Sequence, residues 1–235
     1  NPCYSRIVAT TPAPTVRPPS RMANRSPCSI ATGEMTSTFS LLLAPGTTIP
    51  LLSGDPGRTE AIATATLTDG RSLSTNRGLA SFRATLPGGA PVVCATSGMG
   101  APSLSIVVNE LVQVGITTII RVGTCGSIRP EVAVGSVIVA SAALADQGAA
   151  DDIAPREFPA AADPFLTVAL ARAAEALGVE HHVGVLASTD TFYEGQERTT
   201  SSANPHLLHR LHGRIDELVD LGILGFEMEA GTLFK

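Results

Sequence analysis

Residues 91–122, PVVCATSGMGAPSLSIVVNELVQVGITTIIRV, decide the fold class. Pro91–Thr96 (PVVCAT) is a continuous apolar run, the mark of a buried strand. Ser97-Gly98-Met99-Gly100 reads as a glycine turn. From Ser103 to Val114 the apolar residues Leu104, Val107, Val108, Leu111 and Val114 recur at helical spacing. Thr117–Val122 is β-branched and reads as the next strand. Strand, glycine turn, helix and strand in that order predict a right-handed βαβ unit.

The alternation continues on both sides. Thr47–Leu52 reads as a short apolar strand ending at Ser53-Gly54-Asp55-Pro56. Pro56 suits the first position of a helix, where its missing N–H leaves nothing unpaired. Gly135–Ser141, His182–Ser188 and Leu221–Phe226 read as strands. Asp163–Leu177 reads as a helix with Leu166, Ala169, Leu170, Ala173 and Leu177 on one side. A further helix is expected with Leu207, Leu208, Leu211, Ile215 and Leu218 on one face, and another starting at Glu227. The pattern is that of an α/β fold.

Composition narrows the function. The 235 residues carry a formal net charge of −5, which argues against a general nucleic-acid binder. Four cysteines without a close pair do not make a disulfide scaffold. No stretch reaches the ~18 uninterrupted apolar residues of a membrane helix. Residues 1–33 hold four arginines (Arg6, Arg17, Arg21, Arg25) and no Asp or Glu. That composition reads as a disordered or leader-like segment over 1–45, ahead of a domain over 46–235. The expected setting is cytoplasmic, or an organelle if residues 1–33 act as a transit peptide.

Four polar clusters stand where strands end, which is where open α/β sheets bind ligands. The first is Gly54-Asp55-Pro56-Gly57-Arg58, a glycine turn into a helix with an Arg in its first turn. It suits an anion, or else it is a turn capped by Asp55. The second is Arg121-Val122-Gly123-Thr124-Cys125-Gly126. An Arg inside an apolar strand calls for an anionic partner, either a ligand or a structural carboxylate. The third, Asp190 to Arg198 (DTFYEGQER), offers Phe192 for stacking and Gln196 and Arg198 for the polar edge of a flat heterocycle. The fourth is Glu227-Met228-Glu229, carboxylates suited to vicinal hydroxyls or to a helix N-terminus. His206, His209 and His212 drift around a helix rather than converge, so they read as solvated surface and no metal site is expected.

Together these segments resemble the nucleoside phosphorylase family. The likeness runs from about Pro50 to Phe234 and includes GDPGR at 54–58, CATSGMGAPSLSIVVNEL at 94–111, RVGTCGSI at 121–128, STDTFYEGQER at 188–198 and FEMEAGTL at 226–233. The resemblance implies a three-layer α/β/α fold around a central mixed, partly barrel-like sheet. It implies phosphate binding by Gly54, Arg58, Arg121, Gly123 and Thr124, with Arg77 reaching the phosphate of a neighbouring subunit. It implies base binding by Phe192, Gln196 and Arg198, the pyrimidine-selecting pattern. It implies ribose binding by Glu227, Met228 and Glu229. The implied reaction is phosphorolysis of uridine to uracil and ribose 1-phosphate, with Arg198, Arg58 and Arg121 carrying the catalysis. Inorganic phosphate is a co-substrate and no cofactor is expected. The implied assembly is a homo-oligomer built from dimers, a hexamer in relatives, with no nucleic-acid or membrane partner.

Four departures accompany the likeness. Bacterial relatives use a His near the N-terminus, whereas the first His here is His181. Gly78 stands where potassium-binding relatives have Glu, so no potassium site is expected. Cys125 stands where relatives often have Thr. The chain also reads as a fragment, starting without Met and ending just after FEMEAGTLFK. A purine nucleoside phosphorylase, a nucleosidase and a non-catalytic binding relative are the competing readings. The GQER loop argues against purines, and the three arginines argue against water as the nucleophile.

Overall fold

The computed structural model describes residues 49–235 and the backbone of one N-terminal strand, Tyr4–Pro12. The rest of the expected 1–45 segment lies outside the described residues, as does the start of the strand expected at Thr47. The chain divides into two compact units. Two elements, the helix α2 (Ala101–Gln113) and the strand β6 (Thr118–Ser127), run from one unit into the other.

The smaller unit holds β2 (Ile49–Ser53), α1 (Pro56–Ala61), β3 (Thr68–Ser74), β4 (Ser81–Thr85) and β5 (Pro91–Thr96), in the sheet order β2-β5-β4-β3. β2 and β5 pair in parallel; β5 with β4 and β4 with β3 pair antiparallel. Asp55 caps α1, its Oδ1 accepting from Arg58 N at 2.6 Å, and Pro56 opens the helix as expected. Ala63, Phe82, Ala84, Val92 and Cys94 pack as its core. The β3–β4 hairpin was not legible in the sequence. Its turn carries Arg77 at φ +54, a left-handed position that a side chain resists.

The larger unit carries β7 (Val137–Asp146), β8 (His181–Thr189) and β9 (Gly225–Glu227), with β1 (Tyr4–Pro12) and most of β6. The order is β1-β7-β8-β9-β6, and β1 pairs with β6 as well, so the five strands make a closed circuit. β1/β7, β7/β8 and β8/β9 are parallel and β9/β6 antiparallel. Helices α3 (Gly148–Ile153), α4 (Pro164–Ala176), α5 (Arg214–Asp220) and α6 (Ala230–Phe234) complete it, and α4 and α6 both pack on β7 and β8. Mixed, partly closed sheet and covering helices are the three-layer α/β class that the sequence implies. Ala187, Leu218, Ile223 and Phe226 form a core here, and every residue of α6 is buried.

Several expected elements are corrected. No residue of α4 is fully buried, and Leu177, its C-cap, is 77% exposed, because a helical period marks a stripe without saying what covers it. The helix expected through Leu207–Leu218 is broken: a short 3₁₀ turn at His209–Leu211 stops at Gly213, whose φ of +74 no continuous helix allows. Only Arg214–Asp220 is α-helical, although Leu207, Leu211 and Leu218 are all buried. The last strand is three residues, Gly225–Glu227, because Leu221 and Gly222 terminate α5. Glu227 therefore lies in a strand, and α6 begins three residues later, at Ala230.

Candidate active site

Strand β6 organises the chemistry of the larger unit. The sequence reading ends a strand at Val122, yet β6 continues to Ser127 through Gly123 and Gly126. Alternation puts Arg121 and Gly123 on one face and Thr124 and Gly126 on the other. A Cβ at Gly123 would collide with Nη1 of Arg121, and a Cβ at Gly126 with Nη2 of Arg198. Each glycine thus makes room for one guanidinium.

Arg121 is 3% exposed. Its Nη2 meets Glu229 Oε2 at 2.6 Å, and the other Glu229 oxygen accepts from Gly100 N at 2.7 Å. This is the carboxylate partner that an Arg in an apolar strand demands. The pair leaves Arg121 Nε and Nη1 buried with no protein acceptor among the described residues. Two unsatisfied donors on a buried cation are costly unless an anion meets them. Thr124, two residues beyond Gly123's neighbour Val122, is exposed.

The turn after β9 is held by a second buried carboxylate. Glu227 Oε2 accepts from Glu229 N and Ala230 N, both at 2.7 Å, and its Oε1 accepts from the Ser188 hydroxyl. Ser188 Oγ in turn accepts from Gly231 N at 2.8 Å. Burial, and then the neighbouring Glu229 carboxylate, push the Glu227 carboxyl above its ordinary range, against the pull of Arg121 and these hydrogen bonds. Gln147 grips the same turn: its Nε2 donates to Met228 O at 2.6 Å and its Oε1 accepts from Thr232 N and Thr232 Oγ1. Gln147 and Ser188 had no assigned role in the sequence reading. Gln147 sits in a stretch with no motif, and Ser188 is the first residue of a recognised one.

The loop after β8 gathers the predicted base-binding set. Arg198 lies over the Phe192 ring, 4.4 Å from its centroid, and its Nε donates to Gln196 Oε1 at 3.0 Å. Gln196 is buried and its Nε2 donates to Thr189 Oγ1 at 3.3 Å. These three residues, with Gly126 and Phe226, line a cleft of about 620 Å³. Such a volume suits a small planar ligand.

The remaining expected phosphate residues belong to the smaller unit. Gly54 precedes the α1 cap, and Arg58 donates from Nη1 to Ser53 Oγ at 3.3 Å. Arg77 is exposed in the β3–β4 turn. His206, His209 and His212 are exposed, and among the described residues no group of three or more His, Cys, Asp or Glu is placed to hold a metal ion. No helix among the described residues is long and apolar enough to cross a membrane.

Residues 48–235 match the family model of the phosphorylase superfamily. The chain belongs to the phosphorylase superfamily. Among members with names, it is similar to the uridine phosphorylase of Salmonella typhimurium, at 44% identity over 188 residues, covering 80% of this chain and 73% of that one. Its likeness to the uridine phosphorylase of Escherichia coli has the same extent, again at 44% identity over 188 residues, 80% and 73% of the two chains. The guanosine phosphorylase of Halorubrum lacusprofundi is 33% identical over 186 residues, 79% of this chain and 70% of that one.

Proposed function

We propose that the chain catalyses the phosphorolysis of uridine, giving uracil and ribose 1-phosphate. The observation that carries the reading is the gathering of Phe192, Gln196 and Arg198 around Gly126 in one cleft. Gln offers a donor and an acceptor to the uracil N3–H and carbonyl edge, and Arg offers donors alone. The named uridine phosphorylases stand at higher identity than the named guanosine phosphorylase, which favours a pyrimidine over a purine.

In the reaction a phosphate oxygen forms a bond to C1′ while the C1′–N1 bond breaks. The electron pair of that bond leaves on uracil, which then takes a proton. Negative charge grows on the base carbonyls as the sugar becomes oxocarbenium-like. A guanidinium fixed beforehand beside a carbonyl stabilises that charge without reorganising, and this is the role of Arg198. Arg121 presents Nε and Nη1 to phosphate, with Gly123 beside it; Thr124, on the other face of β6, joins the phosphate ligands on the family resemblance alone. The family resemblance adds Gly54, Arg58 and Arg77 as further phosphate ligands, Arg77 toward a neighbouring subunit of a dimer-based oligomer. Ribose is assigned to Met228 and Glu229. Glu229 Oε1 accepts from Gly100 N and Oε2 from Arg121 Nη2, and each oxygen keeps a lone pair for a hydroxyl. Glu227 has its oxygens on the protein itself, so its part is to hold the backbone under those two residues. Phosphate is the co-substrate, no cofactor enters the scheme, and the proposed setting is the cytoplasm.

The test is uracil release from uridine by the purified chain, with and without phosphate. Release that requires phosphate is the expected result. Release without phosphate would make it a nucleosidase, and activity on guanosine instead of uridine would overturn the base assignment.

A further inference from the structure

We propose that Glu197 is a positioning residue for uridine: it anchors the loop that carries Gln196 and Arg198 to the start of α5, and so sets the guanidinium of Arg198 at the base. The proposal rests on the uridine reading above.

Glu197 sits between the two base-binding side chains but bonds elsewhere. Its Oε1 accepts from Gly213 N at 2.8 Å and its Oε2 from Ile215 N at 2.7 Å. The helix start cannot cap itself, because its own N-cap is Gly213, which has no side chain. Both carboxylate oxygens are therefore fixed across 16 and 18 residues of chain. Glu197 also holds φ at +49, a left-handed backbone that a side chain resists. Locally the turn is closed by Arg198 N to Tyr193 O at 2.8 Å. The left-handed residue reverses the chain so that Gln196 and Arg198, its two neighbours, meet each other at 3.0 Å. The two distant backbone bonds are what keep a residue with a side chain in that conformation. Without them the loop relaxes, and the contact of Arg198 with Gln196 and Phe192 goes with it. Merely capping α5 would be the competing role. It would affect stability, with no preference for one substrate.

The measurements are made on the full chain. The Arg198 Nε–H, bonded to Gln196 Oε1, is expected as a slowly exchanging side-chain resonance, assigned by its loss in R198K. In E197A it is expected to exchange fast or broaden. E197Q keeps one acceptor and is expected to fall between, which provides a second reading if E197A is poorly folded. In kinetics, E197A is expected to raise KM for uridine by about tenfold to a hundredfold, the worth of one charged hydrogen bond. KM for phosphate should stay within about twofold. In an R198A background the E197A effect on uridine should vanish, since both act through the same guanidinium. An unchanged Arg198 resonance in both Glu197 variants overturns the proposal. So does an equal rise in both KM values, or a full extra penalty on top of R198A. A wild-type chain that releases no uracil in the presence of phosphate defeats the functional reading instead, and the resonance then decides the role of Glu197 alone.

Discussion

Replacing Glu229 by Ala is expected to be among the most damaging single changes in the larger unit. The carboxylate meets Arg121 at 2.6 Å, with the two side chains only 8% and 4% exposed. Among the described residues Arg121 Nε and Nη1 already lack protein acceptors, so the substitution leaves a buried cation without its ion-pair partner. Gly100 N loses its acceptor in the same step. Removing one partner of a buried pair costs about 3–5 kcal/mol. That is a large part of the ~5–15 kcal/mol that holds a typical domain folded. With a urea slope of about 2 kcal/mol/M, the midpoint should fall by about 2 M. Far-UV circular dichroism in a phosphate-free buffer follows the transition, since the chain has no Trp. The double change R121M/E229L removes both charges and fills the space with apolar atoms. It should recover most of the loss while abolishing activity, because the desolvation cost disappears along with the attraction. A loss below about 1 kcal/mol in E229A would show that water reaches the guanidinium and would refute the buried-pair argument. A double variant as unstable as the single one would refute it as well.

Three further outcomes follow from particular contacts. In G126A the new methyl meets the far end of a flexible Arg198, so folding should persist while KM for uridine rises about tenfold or more; in G123A it meets the buried Arg121, so stability falls by about 1–3 kcal/mol and KM for phosphate rises instead. Steady-state kinetics with each substrate varied separates the two, and identical profiles would sink the assignment. The carboxyl of Glu227 is held above its ordinary 4.5, so its contribution to stability is whole below that value and is lost as pH rises through the raised one. E227Q does not titrate, so melting temperatures of wild type and variant should diverge over that window, and parallel curves would contradict the shift. Burial pushes the Cys94 thiol up to about 11, so iodoacetamide at pH 8 should label it only in urea, as peptide mapping reads directly; labelling in native buffer would contradict its burial.

How far the sequence reached is seen best at its boundaries. β5 lies where the apolar run PVVCAT put it, and Asp55 caps a helix opened by Pro56, because those signals are local. Asp163, read as the first residue of a helix, is its N-cap instead, its Oδ1 accepting from Leu166 N at 2.8 Å. Gly123 and Gly126 misled in the other direction. Glycine weakens a strand by propensity, and only the three-dimensional approach of Arg121 and Arg198 explains why β6 continues through both. The leucine series at 207–218 found three buried residues, Leu207, Leu211 and Leu218, but Leu208 is 49% exposed, and the series could not reveal that Gly213 turns left-handed within it. In the site, Arg121 announced an anion by its strand neighbours. That its partner is Glu229, 108 residues on, is a tertiary fact with no local trace. Gln147, one of the most buried polar side chains, stood in a stretch whose composition gave no reason to choose it.

The turn at Arg77 has a consequence for laboratory selection. Its backbone is held by Gly78 N to Thr75 O, Leu79 N to Asn76 O and the Ser74 hydroxyl, none of which involves the arginine side chain. Glycine would adopt the φ of +54 without strain, a gain of about 1 kcal/mol. A library screened for heat resistance alone should therefore enrich glycine at this codon. A library screened for growth on a nucleoside should keep arginine. Divergence of the two screens at one position would mark the turn as a place where durability has been held below its maximum.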